Sequence, residues 1–384
     1  MAAAGDRLVS PKARYVMIGG FLGAGKSTSV ARLARRFTEQ GLAVGLITND
    51  QGSNLVDTRT LRGQGFAVEE IAGGCFCCRF DSLRTAAARL DAESRPDVFL
   101  AEPVGSCTDL VATVSYPLRR LYGDRFTIAP LSVVVDPIRA ARILGLQEGR
   151  KFSRKVTYVY LKQLEEAEIL VINKTDLLAD TDRHRLQRAL AERCPRAEIF
   201  AVSARRDVGL DPWYERLAGG EPSRAVALDI DYQEYGEGEA LLGWLNATVR
   251  LTAAREIDGN RWLSDFAASL RDRLLAADAE VAHLKMTLSP DGGLGGLALV
   301  NLVNLDFVPE TAERLHDALR SGQLIVNLRA EAPPEVLKDC LENELANRRA
   351  AAAGRGPAIQ LELEHLEAFR PGQPVPTHRM STGS

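Results

Sequence analysis

Gly19-Gly20-Phe21-Leu22-Gly23-Ala24-Gly25-Lys26-Ser27-Thr28 is a complete GxxxxGKS phosphate loop. An apolar run, Tyr15 to Ile18, precedes it, and a helix-like stretch from Ser27 to Thr38 follows. That context decides the reading more than the string does. A strand, a glycine turn and a helix start aim backbone N–H groups at a polyphosphate, and the helix dipole favours its negative charge. Glycines allow close backbone approach, Lys26 reaches the β- and γ-phosphates, and the Ser27 hydroxyl ligates Mg²⁺. A glycine-rich turn with a stray lysine is the bland alternative, and the flanking strand and helix argue against it.

Working outward, apolar runs alternate with helical patterns over the first part of the chain. Strands are expected at Tyr15–Ile18, Ala43–Thr48, Ala67–Ile71, Val98–Glu102, Leu131–Val135, Ile169–Asn173 and Glu198–Val202. Helices are expected at Ser27–Gln40, Ser82–Glu93, Thr108–Tyr116, Arg154–Glu166, Asp180–Arg193 and Pro212–Ala218. Several strands are apolar throughout, as strands covered by helices on both faces are. This predicts an α/β, mostly parallel P-loop sheet over residues 14–220, after a disordered lead at residues 1–13.

Gly219-Gly220-Glu221-Pro222-Ser223 reads as a linker. Beyond it the pattern becomes strand (Ala240–Leu251), helix (Asn260–Ala277), strands (Val281–Ser289, Leu297–Leu305, Gln323–Arg329), helix (Pro333–Ala346) and strand (Ile359–Phe369). Trp262, Phe266, Leu270 and Leu274 fall on one helix face. The prediction for 226–370 is a smaller α+β, ferredoxin-like domain. The remainder, 371–384, reads as a disordered tail.

The 384 residues leave room for two or three domains. A net charge of −3 carries no basic footprint, so no nucleic-acid partner is expected. No apolar run approaches the ~18 residues of a membrane span, and no signal segment opens the chain. The expectation is a cytoplasmic protein, in which the six cysteines are not structural disulfides. Cys107, Cys194 and Cys340 are read as packing residues by default.

Asn173-Lys174-Thr175-Asp176 follows a strand. A carboxylate at the fourth position accepts bonds from guanine N1–H and its exocyclic amine, and adenine lacks that donor pair. Lys174 packs along the base and braces the phosphate loop, while a backbone N–H in Ser203-Ala204 is placed to meet guanine O6. A helix N-cap at Asp176 is the alternative. Glu102-Pro103-Val104-Gly105 ends another strand: Glu102 faces Mg²⁺ through a water, and the Gly105 amide holds the γ-phosphate. Asn49-Asp50-Gln51-Gly52 reaches the same sheet edge. Ordinary capping acids are the alternative for Asp50 and Glu102.

Gly73-Gly74-Cys75-Phe76-Cys77-Cys78 places three thiols within four residues. Such thiolates converge on a soft ion such as Zn²⁺ or Cu⁺, with Co²⁺ binding similar sites. Three ligands leave one position open, which suits a transferable metal better than a structural one. A redox thiol set or buried inert cysteines are the competing readings.

In this order, the phosphate loop, the GGCxCC motif, the ExxG motif and the NKxD motif resemble the CobW branch of the CobW/HypB/UreG GTPases. The resemblance covers residues 14 to 220 well and the second domain weakly. It implies a low-turnover GTPase acting as a metallochaperone or metal-enzyme assembly factor. Cys75, Cys77 and Cys78 would match the metal thiols. Gly23, Ala24, Gly25, Lys26, Ser27 and Thr28 would match the phosphate and Mg²⁺ contacts, Glu102 and Gly105 the Walker-B-like motif, and Asp176 the guanine reader. One departure concerns the switch segment, usually Asn-Glu-Phe-Gly. Here Asp50 or Gln51 must orient the attacking water, beside Lys26 and Glu102, and Asp50 joins Ser27 and Glu102 around Mg²⁺. Five scattered histidines make no metal store. Cys107 falls outside the expected pattern; it either lies near the site or fills an apolar gap.

Partners expected on this reading are GTP, a client metalloprotein and a second copy of the chain in a GTP-dependent homodimer. Two rivals stand beside GTP-gated metal transfer. One is a GTP-dependent protein-binding switch, or cobalamin-enzyme assembly factor, with structural cysteines. The other is a thiol-redox sensor.

Overall fold

In β1 (Ala13–Gly19) every residue after the first is buried. Tyr15 and Met17 pack into one apolar cluster, and Val16 and Ile18 into another. Successive side chains of a strand point to opposite faces, so β1 is covered on both sides. The computed structural model describes residues 12–50, 61, 65–292, 296–352 and 359–380.

The other strands of this sheet are β2 (Val44–Asp50), β3 (Ala67–Ala72), β4 (Val98–Glu102), β5 (Phe126–Ile128), β6 (Ser132–Val135), β7 (Ile169–Ile172) and β8 (Glu198–Ala201). Their order is β3-β2-β4-β1-β6-β7-β8, with β5 also against β1. Every pairing is parallel. Helices α1 (Lys26–Glu39), α2 (Phe80–Ser94), α3 (Tyr116–Tyr122), α4 (Pro137–Ile143), α5 (Arg154–Glu166), α6 (Asp180–Arg193) and α7 (Asp211–Ala218) connect them. Side chains of α1 and α7 share the Val16 cluster; those of α2, α3, α5 and α6 share the Tyr15 cluster. β1 lies between β4 and β6, so the loops after all three meet at one edge of the sheet, the usual ligand edge of such folds.

The second unit contains β9 (Leu242–Ile257), α9 (Gly259–Ala276), β10 (Glu280–Pro290), β11 (Ala298–Leu302), β12 (Glu310–Glu313), β13 (Leu319–Glu331), α10 (Pro334–Ala352) and β14 (Ile359–Phe369). Its antiparallel sheet runs β12-β11-β10-β13-β9-β14. Without the β11–β12 pair this is βαββαβ in the ferredoxin-like arrangement. Trp262, Phe266, Leu270 and Leu274 of α9 and Leu337, Leu341 and Leu345 of α10 fill its core.

Four segments differ from expectation. The linker-like stretch packs on the first unit: Ser223 N–H donates to Ile128 O (2.8 Å), and its hydroxyl to Glu168 (2.6 Å). Residues Tyr232–Ala240 form helix α8, with Asp231 accepting from Gln233 N–H and Glu234 N–H. Its glycines weaken the helix in isolation, but a Cβ at Gly238 would lie 2.5 Å from Lys155 O, so close packing on α5 requires one of them. The first unit therefore continues past residue 220, through α8. The helix expected at Thr108–Tyr116 is a π-turn, Val111–Ser115, leading into α3; Asp109, with φ 62°, sets its start.

The tail is the fourth. Residues 370–380 form no helix or strand, yet they are bound as a strap. Thr377 N–H donates to Cys77 O (2.8 Å), Thr377 Oγ1 to Cys78 O (3.2 Å) and Met380 N–H to Ala112 O (2.9 Å). Arg379 pairs with buried Asp109 at 2.7 Å. Pro371, Pro374 and Pro376 leave the segment without internal hydrogen bonds, and distant partners supply its order instead. Of the expected lead, Lys12 and Ala13 are described, and Ala13 opens β1.

Candidate nucleotide and metal site

The loop after β1 turns on glycines that nothing larger could replace. Gly20 has φ 127°, and a Cβ there would lie 2.3 Å from Val134 O; Gly25 has φ 94° and would strike the Asn173 amide. Lys26 is buried at the start of α1, with its ammonium 3.4 Å from Phe21 O. Ser27 Oγ donates to Glu102 Oε1 at 2.9 Å, so the two residues expected around Mg²⁺ meet directly. Gly105 closes this corner: a Cβ there would lie 2.9 Å from both Lys26 Nζ and Leu22 N. A hydroxyl, a carboxylate and a lysine converging beside a glycine turn are a donor set that fits Mg²⁺ and a phosphate chain. Thr28 is exposed on the next residue of α1. Gln51 and the side chain of Asp50 lie outside the described residues.

The Asn173–Asp176 segment is wired to the same loop. Asn173 Nδ2 donates to Ala24 O (2.9 Å), and Lys174 Nζ donates to Gly23 O (2.8 Å) and to Asp136 Oδ2 (2.7 Å). Lys174 takes φ 55°, an uncommon conformation for a non-glycine residue. Asp176 accepts from Ser203 Oγ at 2.5 Å and faces Arg206 at 3.5 Å. The amides expected to meet guanine O6 are engaged elsewhere. Ala204 N–H donates to Asn173 Oδ1 (3.0 Å) and Ser203 N–H to Val208 O (2.9 Å). Ser203 and Ala204 thus shape the pocket by orienting Asp176 and Asn173.

Two residues that motif reading passed over complete this corner. Asp136 caps α4, accepting from Arg139 N–H at 2.9 Å. Burial works to raise its carboxyl, but Lys174 and Arg139 hold it below the ordinary range. Arg139 is buried; it donates to Leu22 O of the phosphate loop and to Ala282 O (3.0 Å) and Val303 O (2.7 Å) of the second unit. Its guanidinium lies over Phe21 and Phe152 at 5.2 and 5.1 Å. The strand-end dipeptide Asp136-Pro137, a helix-start signal, was the clue available in sequence.

The thiols stand between β3 and α2, on the next loop along the same edge. Gly73 (φ 73°) and Gly74 (φ 155°) turn the chain, and Arg79 N–H donates to Cys75 O (2.9 Å). Asn49, at the end of β2, donates to Ile71 O (2.8 Å) and Gly74 O (2.6 Å), fixing that turn. Sγ–Sγ distances are 2.8 Å for Cys75–Cys77, 3.1 Å for Cys75–Cys78 and 3.7 Å for Cys77–Cys78, and all are free thiols. Cys75 and Cys77 are buried, Cys78 partly so.

Hydrogen bonds from Cys107, Cys77 and Cys78 hold Cys75 far below an ordinary thiol. The bond to Cys75 pushes Cys78 up to about 11. Burial pushes nearby Glu239 up to about 8, with the Cys75 charge adding to it. Three sulfurs that converge within 3.7 Å, two of them buried, are a donor set that fits a soft cation.

Fold and site together define a P-loop nucleotide-binding domain that carries a buried thiol cluster. Residues 14–201 match the model of the CobW/HypB/UreG nucleotide-binding domain. Solved structures similar to it include the hydrogenase maturation factor HypB of Archaeoglobus fulgidus, at 20% identity over 54% of this chain and 89% of that one, TM-score 0.38. HypB from Helicobacter pylori in complex with nickel overlaps at 17% identity, 54% and 88% coverage, TM-score 0.40. Zn(II)-bound YjiA GTPase from E. coli overlaps at 14% identity, 87% and 99% coverage, TM-score 0.38. At such scores nothing about this chain's ligands rests on them. Among the described residues no helix is long and apolar enough to cross a membrane.

Proposed function

We propose that this protein binds GTP, hydrolyses it at low turnover and couples nucleotide state to the binding and delivery of a transition metal. The cargo is Zn²⁺ or Co²⁺, the recipient a client metalloprotein, the working form a GTP-dependent homodimer, and the compartment the cytoplasm. One observation carries the reading. Three free thiols lie within 3.7 Å of one another on a loop fastened, through Asn49, to the strand that leads into the switch segment.

Asp176 reads guanine, and Gly23–Thr28 with Gly105 cradle the phosphates. Ser27 and Glu102 would hold Mg²⁺, which would neutralise charge on the phosphate oxygens. Lys26 steadies the γ-phosphate, and Asp50 or Gln51 orients the attacking water. Loss of the γ-phosphate releases the Gly105 loop and the switch segment, and the thiol loop relaxes with them. A tenfold change in metal affinity between nucleotide states requires ~1.4 kcal/mol of coupling. Linkage then obliges the metal to shift GTP affinity by the same factor.

The test is a metal titration of reduced, metal-free protein with Mg²⁺ and either GDP or a non-hydrolysable GTP analogue. Zn²⁺ competes with a chelator of known affinity, and Co²⁺ charge-transfer absorption reports thiolate ligation. Stoichiometric binding that strengthens with the analogue supports the proposal. Binding that ignores the nucleotide sinks it, leaving the protein-binding switch or redox sensor. Serine at Cys75, Cys77 and Cys78 spares partner binding on the switch reading and abolishes metal transfer on the chaperone reading, while reversible disulfide formation among these thiols without tight metal marks the redox sensor.

A further inference from the structure

One turn of the second unit, residues 303–309 between β11 and β12, meets three loops of the first. Within the second unit it is held by Asp306 N–H donating to Asn304 Oδ1 (2.9 Å) and by Arg271 Nη1 of α9 donating to Phe307 O (3.2 Å). Its first residue lies on the phosphate loop: a Cβ on Gly23 would stand 2.7 Å from Val303 Cγ1 and 2.8 Å from Ala282 O. Arg139 straddles the same seam, donating to Leu22 O and to Val303 O. The middle of the turn meets α4, where Asp306 Oδ2 stands 2.8 Å from Arg142 Nη2. Arg142 is buried, and Asp306 is its one acidic partner among the described residues. The far end meets the base loop, where Glu310, the first residue of β12, pairs with Arg205. Arg205 stands between Ala204, whose N–H holds Asn173, and Arg206, which faces Asp176.

We propose that this turn is a wall of the nucleotide pocket, supplied by the second unit, and that it must unseat before the nucleotide leaves. The inference rests on the nucleotide reading given above. On that reading the phosphates lie at Gly23–Thr28 and the base at Asp176. A turn braced at Gly23 and at Arg205 then runs beside the ligand that joins those two places.

The brace is electrostatic. Arg142–Asp306 and Arg205–Glu310 each set an arginine of the first unit against an acid of the second, and so do Arg150–Asp278 (2.7 Å) and Arg150–Glu280 (2.9 Å) elsewhere on the seam. The units also share apolar contacts, since Trp244 and Ala282 join the Tyr15 cluster. The charged turn therefore parts at lower cost than the units do. Arg205 and Glu310 are each 56% exposed, so salt screens their pair. The Arg142 side chain is 7% exposed, so losing Asp306 leaves a buried cation unpaired.

The experiment uses the full chain loaded with Mg²⁺ and a fluorescent GDP, chased with excess unlabelled GDP, and follows dissociation at low and high salt. Asp306→Asn should release GDP about tenfold faster than wild type. Glu310→Arg should release it about threefold faster at low salt, an effect that fades as salt is added. Both substitutions make the surroundings of the pocket more positive. Attraction through space would by itself slow the release of an anion, so faster release identifies the unseated turn. Adding Arg205→Glu to Glu310→Arg restores the pair with its charges exchanged and should return the rate to that of wild type.

Should Asp306→Asn fail to fold, the exposed Glu310→Arg and its exchanged pair carry the test. Unchanged or slower release in the single variants, with GDP bound by wild type, overturns the wall and leaves the proposed function standing. Faster release from Glu310→Arg that the exchanged pair does not correct overturns it as well. Failure of wild type to bind GDP overturns both proposals.

Discussion

Ending the chain at Phe369 should unlock the thiol cluster without unfolding the protein. The truncation removes the Thr377 N–H bond to Cys77 O and the Met380 N–H bond to Ala112 O, each worth about 1 kcal/mol. It also removes Arg379 from Asp109, an ion pair whose arginine side chain is 38% exposed and which solvent screening limits to about 1 kcal/mol. Only the Thr377 bonds reach the thiol loop; with the Thr377 Oγ1 bond to Cys78 O, its opening becomes easier by about 2 kcal/mol, a population change of about thirtyfold.

The assay is modification of reduced, metal-free protein by a thiol reagent, slow enough that reclosing outruns reaction, with each cysteine followed by mass spectrometry. Cys77, only 2% exposed, is the reporter, and buried Cys194 is the reference for global unfolding. The expected result is Cys77 reacting about thirtyfold faster while Cys194 keeps its rate. An unchanged Cys77 rate refutes the reasoning. So does a parallel rise at Cys194, which would mean that the strap stabilises the whole fold rather than this loop.

Arg139→Ala strands buried carbonyls of both units and takes a cation from Asp136, so urea unfolding should show a loss of about 3–5 kcal/mol. Burial raises the Glu166 carboxyl from 4.5 to about 8, so between those values the folded state keeps a proton that the unfolded state has released. Stability should therefore fall as pH rises through that window, by up to ~1.4 kcal/mol per unit, and level off above it. Glu166→Gln, which keeps the oxygen that accepts from Val111 N–H, should remove this contribution in denaturant titrations at several pH values and leave that of Glu239, whose carboxyl burial also raises to about 8. Gly105→Ala crowds Leu22 and Lys26, and should weaken binding of the GTP analogue about tenfold while sparing GDP; equal losses for both would remove Gly105 from γ-phosphate sensing. On the guanine reading proposed for Asp176, Asp176→Ala should lower GDP affinity about a hundredfold and abolish the preference over ADP, through loss of two bonds to a charged acceptor.

The phosphate loop, the Asn173–Asp176 segment and the Cys75–Cys78 cluster were legible because each is contiguous. Within ten residues, glycine conformations, a strand end and a helix start dictate where the functional atoms point. The parallel and antiparallel sheets followed from apolar runs and periodicity, since burial on one face or two is written in the spacing of side chains. Helix α8 and the strap were not legible. Gly236 and Gly238, and then Pro371, Pro374 and Pro376, show that neither segment supports itself, but not what else will hold it.

What the sequence determined by itself was which residue types each loop offers and at what local spacing. What only the tertiary structure decided was which loops share a site. Asn49 joins the thiol turn to β2, Arg139 joins the phosphate loop to the second unit, and Thr377 closes over Cys77. Those contacts link residues far apart in the chain, and strand order and helix packing alone bring them together.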